Sequence, residues 1–235
     1  MNAAETEAFL KSILSLELRV AAFDCDGTLW SGDSGERFFD WELKEGAIVS
    51  DALDKPMRAR YAAYKRGEVD ETTMCGEMVT MHRGVSETKL MEAARRFFDD
   101  SFDARVFPEM RDLVRRLQEN GCEVWAVSST NEWVIRAAMK HFGVPENRVL
   151  AAKVEVEGDI VTDRLVRVPS GPGKREALCE VVEGIDAAFG NSCWDEEMLA
   201  MAKHAVAVNP NPDLESTARK NGWRIYFPEG PALRH

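Results

Sequence analysis

The sequence predicts an α/β fold, with a three-layer core built on a mainly parallel β-sheet and a small helical domain inserted into it. Two observations lead to this prediction. Five short apolar runs alternate with segments of helical periodicity, and one long interval near the N-terminus has only helical patterns. Strands of a parallel sheet are covered by helices on both faces, so they are apolar along their whole length.

The predicted core elements follow one another along the chain. The strands are residues 18–23, 122–127, 187–189, 205–208 and 223–227. The helices are residues 109–120, 131–142, 173–182, 195–203 and 213–221. Residues 149–165 differ, because two alternating runs flank Gly158 and Asp159, and this pattern predicts a β-hairpin.

The interval of residues 31–107 predicts a separate helical domain. It contains no clear strand, and the segments ERFFDWELKEG and TTMCGEMVTMHRG have amphipathic helical spacing. We therefore expect an α/β core domain of residues 1–30 and 108–235, with the helical domain of residues 31–107 inserted after the first strand.

Composition and charge argue against several classes of protein. The 235 residues are 45% hydrophobic and 30% charged, which supports a sizeable core. A net charge of −11 disfavours binding to nucleic acid or to an anionic membrane, since both need a basic surface. No run of 18 apolar residues occurs, no basic secretion signal opens the chain, and the 5 cysteines form no C-x-x-C pair. We expect a cytoplasmic protein, and the sequence leaves its oligomeric state open.

Two aspartates end the first predicted strand, in LRVAAFDCDGTLW. Asp24 and Asp26 follow a buried strand, where sheets of this class bind ligands. Carboxylates this close repel each other unless a cation lies between them or one is protonated. The pair suits a carboxylate nucleophile near Mg²⁺ and a neighbouring acid that protonates a leaving group. A simple turn is the alternative. A calcium-binding EF-hand loop is excluded, because Leu29 and Gly35 stand where its glycine and glutamate belong.

The sequence resembles the haloacid dehalogenase-like (HAD) superfamily in four motifs that occur in the expected order. The DCDGT segment resembles the first motif, and VWAVSST, with Ser128, the second. The third is Lys174 in SGPGKREAL, and the fourth is FGNSCWDEEML, with Asn191 and Asp195. The ordered set is a stronger signal than any single motif. The resemblance implies a Rossmann-like core and identifies the insertion as a helical C1 cap, as in the phosphoserine-phosphatase-like branch.

The resemblance implies a role for each of these residues. Asp24 would be the nucleophile that forms an aspartyl-phosphate, and Asp26 the acid and then the base. Ser128 and the backbone N–H groups from Ser129 onward, at the start of the next helix, would bind phosphate. A helix N-cap is the alternative role for Ser128. Lys174 would offset the negative charge. The second aspartate favours phosphoryl chemistry over carbon–halogen cleavage.

A Mg²⁺ site is also implied by the resemblance. It would comprise the carboxylate of Asp24, the backbone carbonyl of Asp26 and the fourth motif. Most relatives have an acid where this chain has Asn191, so affinity for the ion should be lower. Asp195 is expected to contribute directly or through a water molecule.

Two acidic residues of the cap are candidates for binding the leaving group of the substrate. Asp33 falls where phosphoserine phosphatases bind the ammonium group of the substrate, although a helix cap is the alternative role. Glu77 falls where those enzymes have an arginine for the substrate carboxylate, with His82 and Arg83 the nearest basic residues. This pattern favours a phosphoserine-like substrate that carries an amine and no carboxylate.

Together these features predict a Mg²⁺-dependent phosphomonoester hydrolase, that is, a phosphatase that acts on a small phosphorylated metabolite. A phosphotransferase or phosphomutase with the same nucleophile is one alternative. A non-catalytic binding or regulatory protein with this fold is the other, with Asn191 as the mark of a lost metal site.

Overall fold

A computed structural model of the chain describes residues 3–45 and 54–229. The described residues form a seven-stranded sheet with the strand order β4-β3-β2-β1-β5-β6-β7. The strands are β1 Val20–Phe23, β2 Glu123–Asn131, β3 Val149–Glu157, β4 Ile160–Arg167, β5 Ala187–Gly190, β6 His204–Val208 and β7 Arg224–Tyr226. All neighbouring pairs are parallel except β3 and β4, which form an antiparallel hairpin.

Helices cover both faces of this sheet. Helices α1, α6 and α7 pack on one face, together with alternate strand residues such as Ala21 and Phe23. Helices α8, α9 and α10 pack on the other face, where Ala22 of the same strand points. Their bounds are α1 Ala3–Leu14, α6 Pro108–Glu119, α7 Glu132–Lys140, α8 Pro172–Cys179, α9 Glu196–Met201 and α10 Pro212–Asn221. This is the predicted three-layer α/β arrangement with a mainly parallel sheet.

Among the described residues, four further α-helices lie between β1 and α6, and we refer to them as the cap. They are α2 Ser34–Glu45, α3 Asp54–Lys65, α4 Glu71–Thr80 and α5 Glu87–Phe97. An apolar cluster around Phe39, Met57 and Met74 joins α2, α3 and α4. The cap occupies the interval predicted to be helical, and the exact domain limits stay a prediction.

The predicted hairpin forms around Gly158 and Asp159, where Glu157 pairs with Ile160 across a two-residue turn. By contrast, the prediction that the second strand ends at residue 127 was wrong, because β2 continues to Asn131 and pairs there with Ala152 after a register shift. Residues 128–131 are all polar, so the apolar pattern that marks a buried strand did not reveal this extension. Within the described ranges no helix is both long enough and apolar enough to cross a membrane.

Candidate active site

A cavity of about 470 Å³ lies at the carboxyl ends of β1 and β2, between the core and the cap. Its core wall includes Asp24, Asp26, Gly27, Ser128, Ser129, Thr130, Lys174, Asn191 and Trp194. Its cap wall includes Asp33, Glu36, Tyr61, Tyr64, Lys65, Glu71, Met74, Cys75 and Met78. The structure therefore brings the first three sequence motifs and part of the fourth to one place, as the topology of a parallel sheet requires.

Asp24 lies directly after β1 and is 6% exposed. Its two carboxylate oxygens have different partners. The ammonium group of Lys174 lies 2.6 Å from Oδ1, and the hydroxyl of Thr28 donates to Oδ2 at 2.8 Å. Burial and the nearby charge of Asp195 raise the pKa of Asp24 to about 7, although Lys174 acts in the opposite direction. The carboxylate is thus fixed in orientation, and its charge is only partly compensated.

Lys174 is 2% exposed and holds the site together electrostatically. Its ammonium group donates to Asp24, to Oδ1 of Asp195 at 2.6 Å and to the carbonyl of Val127 at 3.1 Å. Gly171, with φ +51°, turns the chain into α8, so that Lys174 lies in the first turn of that helix. Burial alone would lower the pKa of Lys174, but the two carboxylates outweigh it and raise the pKa well above its usual range. Lys174 is therefore charged throughout the physiological pH range.

Asp195 is fully buried, and protein donors occupy both of its carboxylate oxygens. Oδ1 accepts from Lys174, while Oδ2 accepts from the backbone N–H groups of Asn191 and Ser192, each at 2.9 Å. A Cβ atom on Gly190 would lie 2.5 Å from that of Asp195, so glycine permits this packing. Asp195 thus holds the loop after β5 in place. It contributes to the cavity indirectly, because it positions two residues that line it, Lys174 and Asn191.

Asp26 has a fully hydrogen-bonded carboxylate. Its Oδ1 accepts from the indole N–H of Trp30 at 2.6 Å and from the backbone of Ser34 at 2.7 Å. Its Oδ2 accepts from the hydroxyl of Thr130 at 2.7 Å. Burial, followed by the charge of Asp33, raises the pKa of Asp26 to about 6, although the three donors favour the charged form. Such a carboxyl group exchanges protons readily near neutral pH.

Asn191 lies against the turn that carries the two aspartates. Gly27 has φ +81°, and a Cβ atom there would overlap the side-chain amide of Asn191. Asp24 and Asn191 line the cavity and offer a carboxylate and an amide, and the third predicted ligand is the backbone carbonyl of Asp26. Oxygens of these kinds suit a hard cation such as Mg²⁺. In residues 3–45 and 54–229 no three His, Cys, Asp or Glu side chains group as metal ligands. A site here would thus depend on an amide and a backbone oxygen.

The phosphate-binding prediction centred on Ser128 and Ser129. Ser128 is 2% exposed, and its hydroxyl oxygen accepts from the backbone N–H of Thr130 at 3.1 Å, which leaves the hydroxyl proton free to donate. The N-cap of α7 is Asn131, whose side chain accepts from Val134, so Ser128 does not cap that helix. The N–H groups from Ser129 onward, expected at the start of the next helix, belong to the end of β2 and directly precede α7.

The two predicted cap residues have different surroundings. Asp33 lines the cavity, accepts from the backbone of Glu36 at 2.9 Å, and accepts from the hydroxyl of Tyr61 at 2.7 Å. The helix-capping contact therefore coexists with a position in the cavity wall. Glu77 forms a two-point ion pair with Arg60, at 2.8 and 2.5 Å, and is not among the residues that line the cavity.

The basic residues nearest to Glu77 in sequence have partners elsewhere. His82 is buried against Glu42, and Arg83 pairs with Asp163. Sequence reasoning missed Lys65 and Glu71, which line the cavity from the cap. No sequence signal distinguished them, because a charged residue near a helix end is ordinary and its direction depends on how the cap packs.

A model of the family described as haloacid dehalogenase-like hydrolase matches residues 21–201, a range that holds all four motifs. The chain belongs to the haloacid dehalogenase-like hydrolase family. This confirms the family predicted from the motifs.

Individual relatives of this HAD protein are distant but cover most of it. A histidinol-phosphatase of Neisseria meningitidis is 26% identical over 217 residues, which cover 88% of this chain and 97% of the relative. A phosphoserine phosphatase of Mycobacterium tuberculosis is 26% identical over 231 residues, 89% of this chain and 71% of the relative. A crystal structure of a Bordetella pertussis protein of unknown function has a TM-score of 0.78 at 22% identity, covering 88% and 97%. Both of the curated relatives described above are named as phosphatases.

Proposed function

We propose that this HAD hydrolase is a phosphatase that hydrolyses small phosphomonoesters through an aspartyl-phosphate on Asp24. The observation that carries the proposal is the arrangement on the cavity floor. A buried nucleophilic carboxylate is oriented by Lys174, and a second carboxyl group, Asp26, faces the same cavity. This arrangement supplies the nucleophile, the compensating charge and the proton donor that phosphoryl transfer requires.

In the first step, a carboxylate oxygen of Asp24 attacks phosphorus, and the bond from phosphorus to the ester oxygen breaks. Asp26, in its protonated form, gives its proton to the departing alcohol. Lys174 and Ser128 both line the cavity, and in this proposal the ammonium group and the free hydroxyl proton stabilise the negative charge of the phosphoryl group. The contacts of Trp30 and Thr130 with Asp26 keep its carboxyl group in one orientation throughout the reaction.

In the second step, Asp26 is a carboxylate and accepts a proton from a water molecule. That water attacks phosphorus, the bond to Asp24 breaks, and inorganic phosphate leaves. A pKa raised to about 6 suits Asp26 for both roles, because neither the acid nor the base form is rare near neutral pH.

We propose that Mg²⁺ is held by Asp24, by the backbone carbonyl of Asp26 and by the amide oxygen of Asn191. When bound, the ion would add positive charge beside the transferring phosphoryl group. Asp195 supports this site indirectly, since it fixes the backbone of Asn191 and binds Lys174. An uncharged amide in place of a carboxylate is expected to make the affinity for Mg²⁺ moderate.

The cap wall of the cavity favours an amine-bearing substrate without a carboxylate. Among the cavity residues that the structure describes, the cap contributes three acids and one cation. The acids are Asp33, Glu36 and Glu71, and the cation is Lys65. Histidinol phosphate has an amine and no carboxylate, whereas phosphoserine has both. The two named relatives thus suggest two test substrates, in which the carboxylate of phosphoserine is replaced by the imidazolylmethyl group of histidinol phosphate.

A phosphate-release assay with Mg²⁺ over a panel of phosphomonoesters, including histidinol phosphate and phosphoserine, tests the proposal. We expect turnover that requires a divalent cation and falls by more than about 10³-fold in Asp24→Asn. Asp163→Asn, at an exposed ion pair with Arg83, is the matched control and should keep full activity. Folded protein that releases no phosphate from any ester, or equal activity in Asp24→Asn, would overturn the proposal.

A further inference from the structure

Glu71 is a buried carboxylate that none of the steps above uses. It lies at the start of α4 in the cap, is 6% exposed and lines the cavity. The hydroxyl of Ser170 donates to Oε1 at 2.8 Å, and that of Tyr64 donates to Oε2 at 3.1 Å. Within the described residues no lysine, arginine or histidine forms an ion pair with it. All its hydrogen-bond donors are therefore neutral, and its charge has no direct counterion.

Two other buried acids have cationic partners, since Asp195 pairs with Lys174 and Glu132 with Arg136. Asp26, the proposed proton donor in the same cavity, resembles Glu71 in that all its hydrogen-bond donors are neutral. Burial raises the pKa of Glu71, opposed by its hydroxyl neighbours and by the more distant Lys174. A buried carboxylate without a counterion is costly, so a cation that enters the cavity would bind there favourably.

The position of Glu71 also restricts where such a cation lies. Ser129, a predicted phosphate-binding residue, is also a hydroxyl neighbour of Glu71, and Ser170 belongs to the loop before α8, which carries Lys174. Glu71 thus faces the phosphate side of the cavity, where a second negative charge would repel a phosphate ester. A positive charge close to the phosphate, within the substrate itself, would remove this repulsion.

We propose that Glu71 is a specificity-determining residue that binds an ammonium group carried on the carbon next to the ester-bearing carbon, so that the preferred substrates are 2-aminoalkyl phosphates. The inference rests on the proposed phosphatase function. A carboxylate has about four acceptor positions, and the hydroxyl donors of Ser170, Tyr64 and Ser129 leave room for an ammonium donor. These hydroxyls orient Glu71 but do not neutralise it, which preserves its attraction for the substrate.

The test compares two esters of equal size, 2-aminoethyl phosphate and propyl phosphate, in which a methyl group replaces the ammonium group. We expect wild-type protein with Mg²⁺ to have the higher kcat/KM for the amine. In Glu71→Gln the ratio of the two kcat/KM values should fall about 10- to 100-fold, the usual loss for a hydrogen bond to a charged group. In the same variant, kcat/KM for propyl phosphate should be unchanged or higher, because a negative charge that repels the phosphate has been removed.

Glutamine has the size of glutamate and still accepts and donates hydrogen bonds, so a purely structural contact would survive or would affect both esters equally. Glu92→Gln, an exposed position on the cap helix α5, is the matched control and should keep the wild-type ratio. Melting temperatures of both variants verify folding. An equal loss on the two esters, or an unchanged ratio in Glu71→Gln, would overturn the inference.

Calorimetric binding of the same two esters to Asp24→Asn, with and without Glu71→Gln, separates this inference from the proposed function. If wild-type protein releases phosphate from neither of these esters nor from any other ester of the panel, the phosphatase proposal fails. The inference about Glu71 still stands in that case if the amine binds at least about 10-fold more tightly than propyl phosphate and loses this advantage in the double variant. Equal affinities for the two esters before and after the change would refute it.

Discussion

Replacement of Asp24 by asparagine should stabilise the protein while it abolishes hydrolysis. Asp24 and Asp195 are two buried carboxylates that share one ammonium group, that of Lys174. The second negative charge is therefore poorly compensated, and burial together with Asp195 raises the pKa of Asp24 to about 7. At pH 8 this charge is largely present in the folded protein, and it opposes folding.

The size of the effect follows from that pKa. The difference between 3.8 and about 7, at about 1.4 kcal/mol for each pH unit, sets an upper limit of about 4 kcal/mol. Asparagine keeps an oxygen acceptor for Lys174 and can donate its amide to the hydroxyl oxygen of Thr28. The hydrogen bond of Lys174 to an amide oxygen is weaker than its hydrogen bond to a carboxylate. We therefore expect the free energy of unfolding to rise by a net amount of about 1 to 3 kcal/mol. For a chain of this length that raises the Tm by about 3 to 9 °C.

The assay is thermal unfolding at pH 8 without divalent cations, followed by a titration with Mg²⁺. Asp195→Asn is the comparison and should lower the Tm. Both oxygens of Asp195 accept from N–H donors, so the amide NH₂ group of asparagine would face either Lys174 or the loop N–H groups and leave donors without an acceptor. Mg²⁺ should raise the Tm of wild-type protein and have little effect on Asp24→Asn, since ligands stabilise only the state they bind. A Tm that falls as far in Asp24→Asn as in Asp195→Asn, or equal stabilisation of both proteins by Mg²⁺, would refute the reasoning.

Three further predictions concern the metal site, the turn at Gly27 and the ion pair of Asp186. Asn191→Asp should lower the Mg²⁺ concentration for half-maximal activity about 10-fold, because a charged oxygen replaces an amide; an equal or higher requirement would contradict the assigned site. Gly27→Ala should lower the free energy of unfolding by about 2 to 4 kcal/mol, since it adds strain at φ +81° and overlaps Asn191. Gly158→Ala, at φ +66° in open space, should lose only about 1 kcal/mol in the same denaturant titration, and equal losses would contradict the packing argument. Asp186 accepts from the backbone of residues 19 and 20 and from Lys203, and Lys203 is the main cause that lowers its pKa to about 2. Asp186→Asn should therefore cost about 1 to 2 kcal/mol above pH 4 and progressively less as the pH falls toward 2; a loss that does not depend on pH would contradict the charge argument.

Much of the core could be predicted from the sequence because its signals are local. The run before Asp24 is apolar since β1 is covered on both faces, and the turn at Gly158 and Asp159 fixes the hairpin. The order of the four motifs then located the cavity, because the carboxyl ends of parallel strands lie at one edge of the sheet.

The cap wall could not be predicted in the same way. The direction of Glu71 depends on contacts with Ser170, 99 residues away in the chain. The resemblance to phosphoserine phosphatases singled out Glu77 as a substrate-binding residue of the cap. In the structure Glu77 instead pairs with Arg60. Helical periodicity tells which face of a helix is buried, but it does not tell whether that face meets the core, another cap helix or the cavity.

The fourth motif shows a similar limit at shorter range. The sequence predicted that both Asn191 and Asp195 provide oxygen ligands for a metal ion. The structure gives them separate tasks, since Asp195 has both oxygens occupied by protein donors while Asn191 lines the cavity. Which of two nearby polar side chains faces a ligand depends on the local backbone, here the approach of Gly190 to Asp195.

The central claim is that Asp24 carries the phosphoryl group during turnover. Wild-type protein that is hydrolysing a phosphomonoester with Mg²⁺ is quenched rapidly in acid, digested and analysed by peptide mass spectrometry. We expect a phosphoryl group on the peptide that contains Asp24, at a level that rises with substrate concentration, and none in Asp24→Asn. Phosphate release without any phosphorylated peptide, or with the label on another residue, would contradict the account.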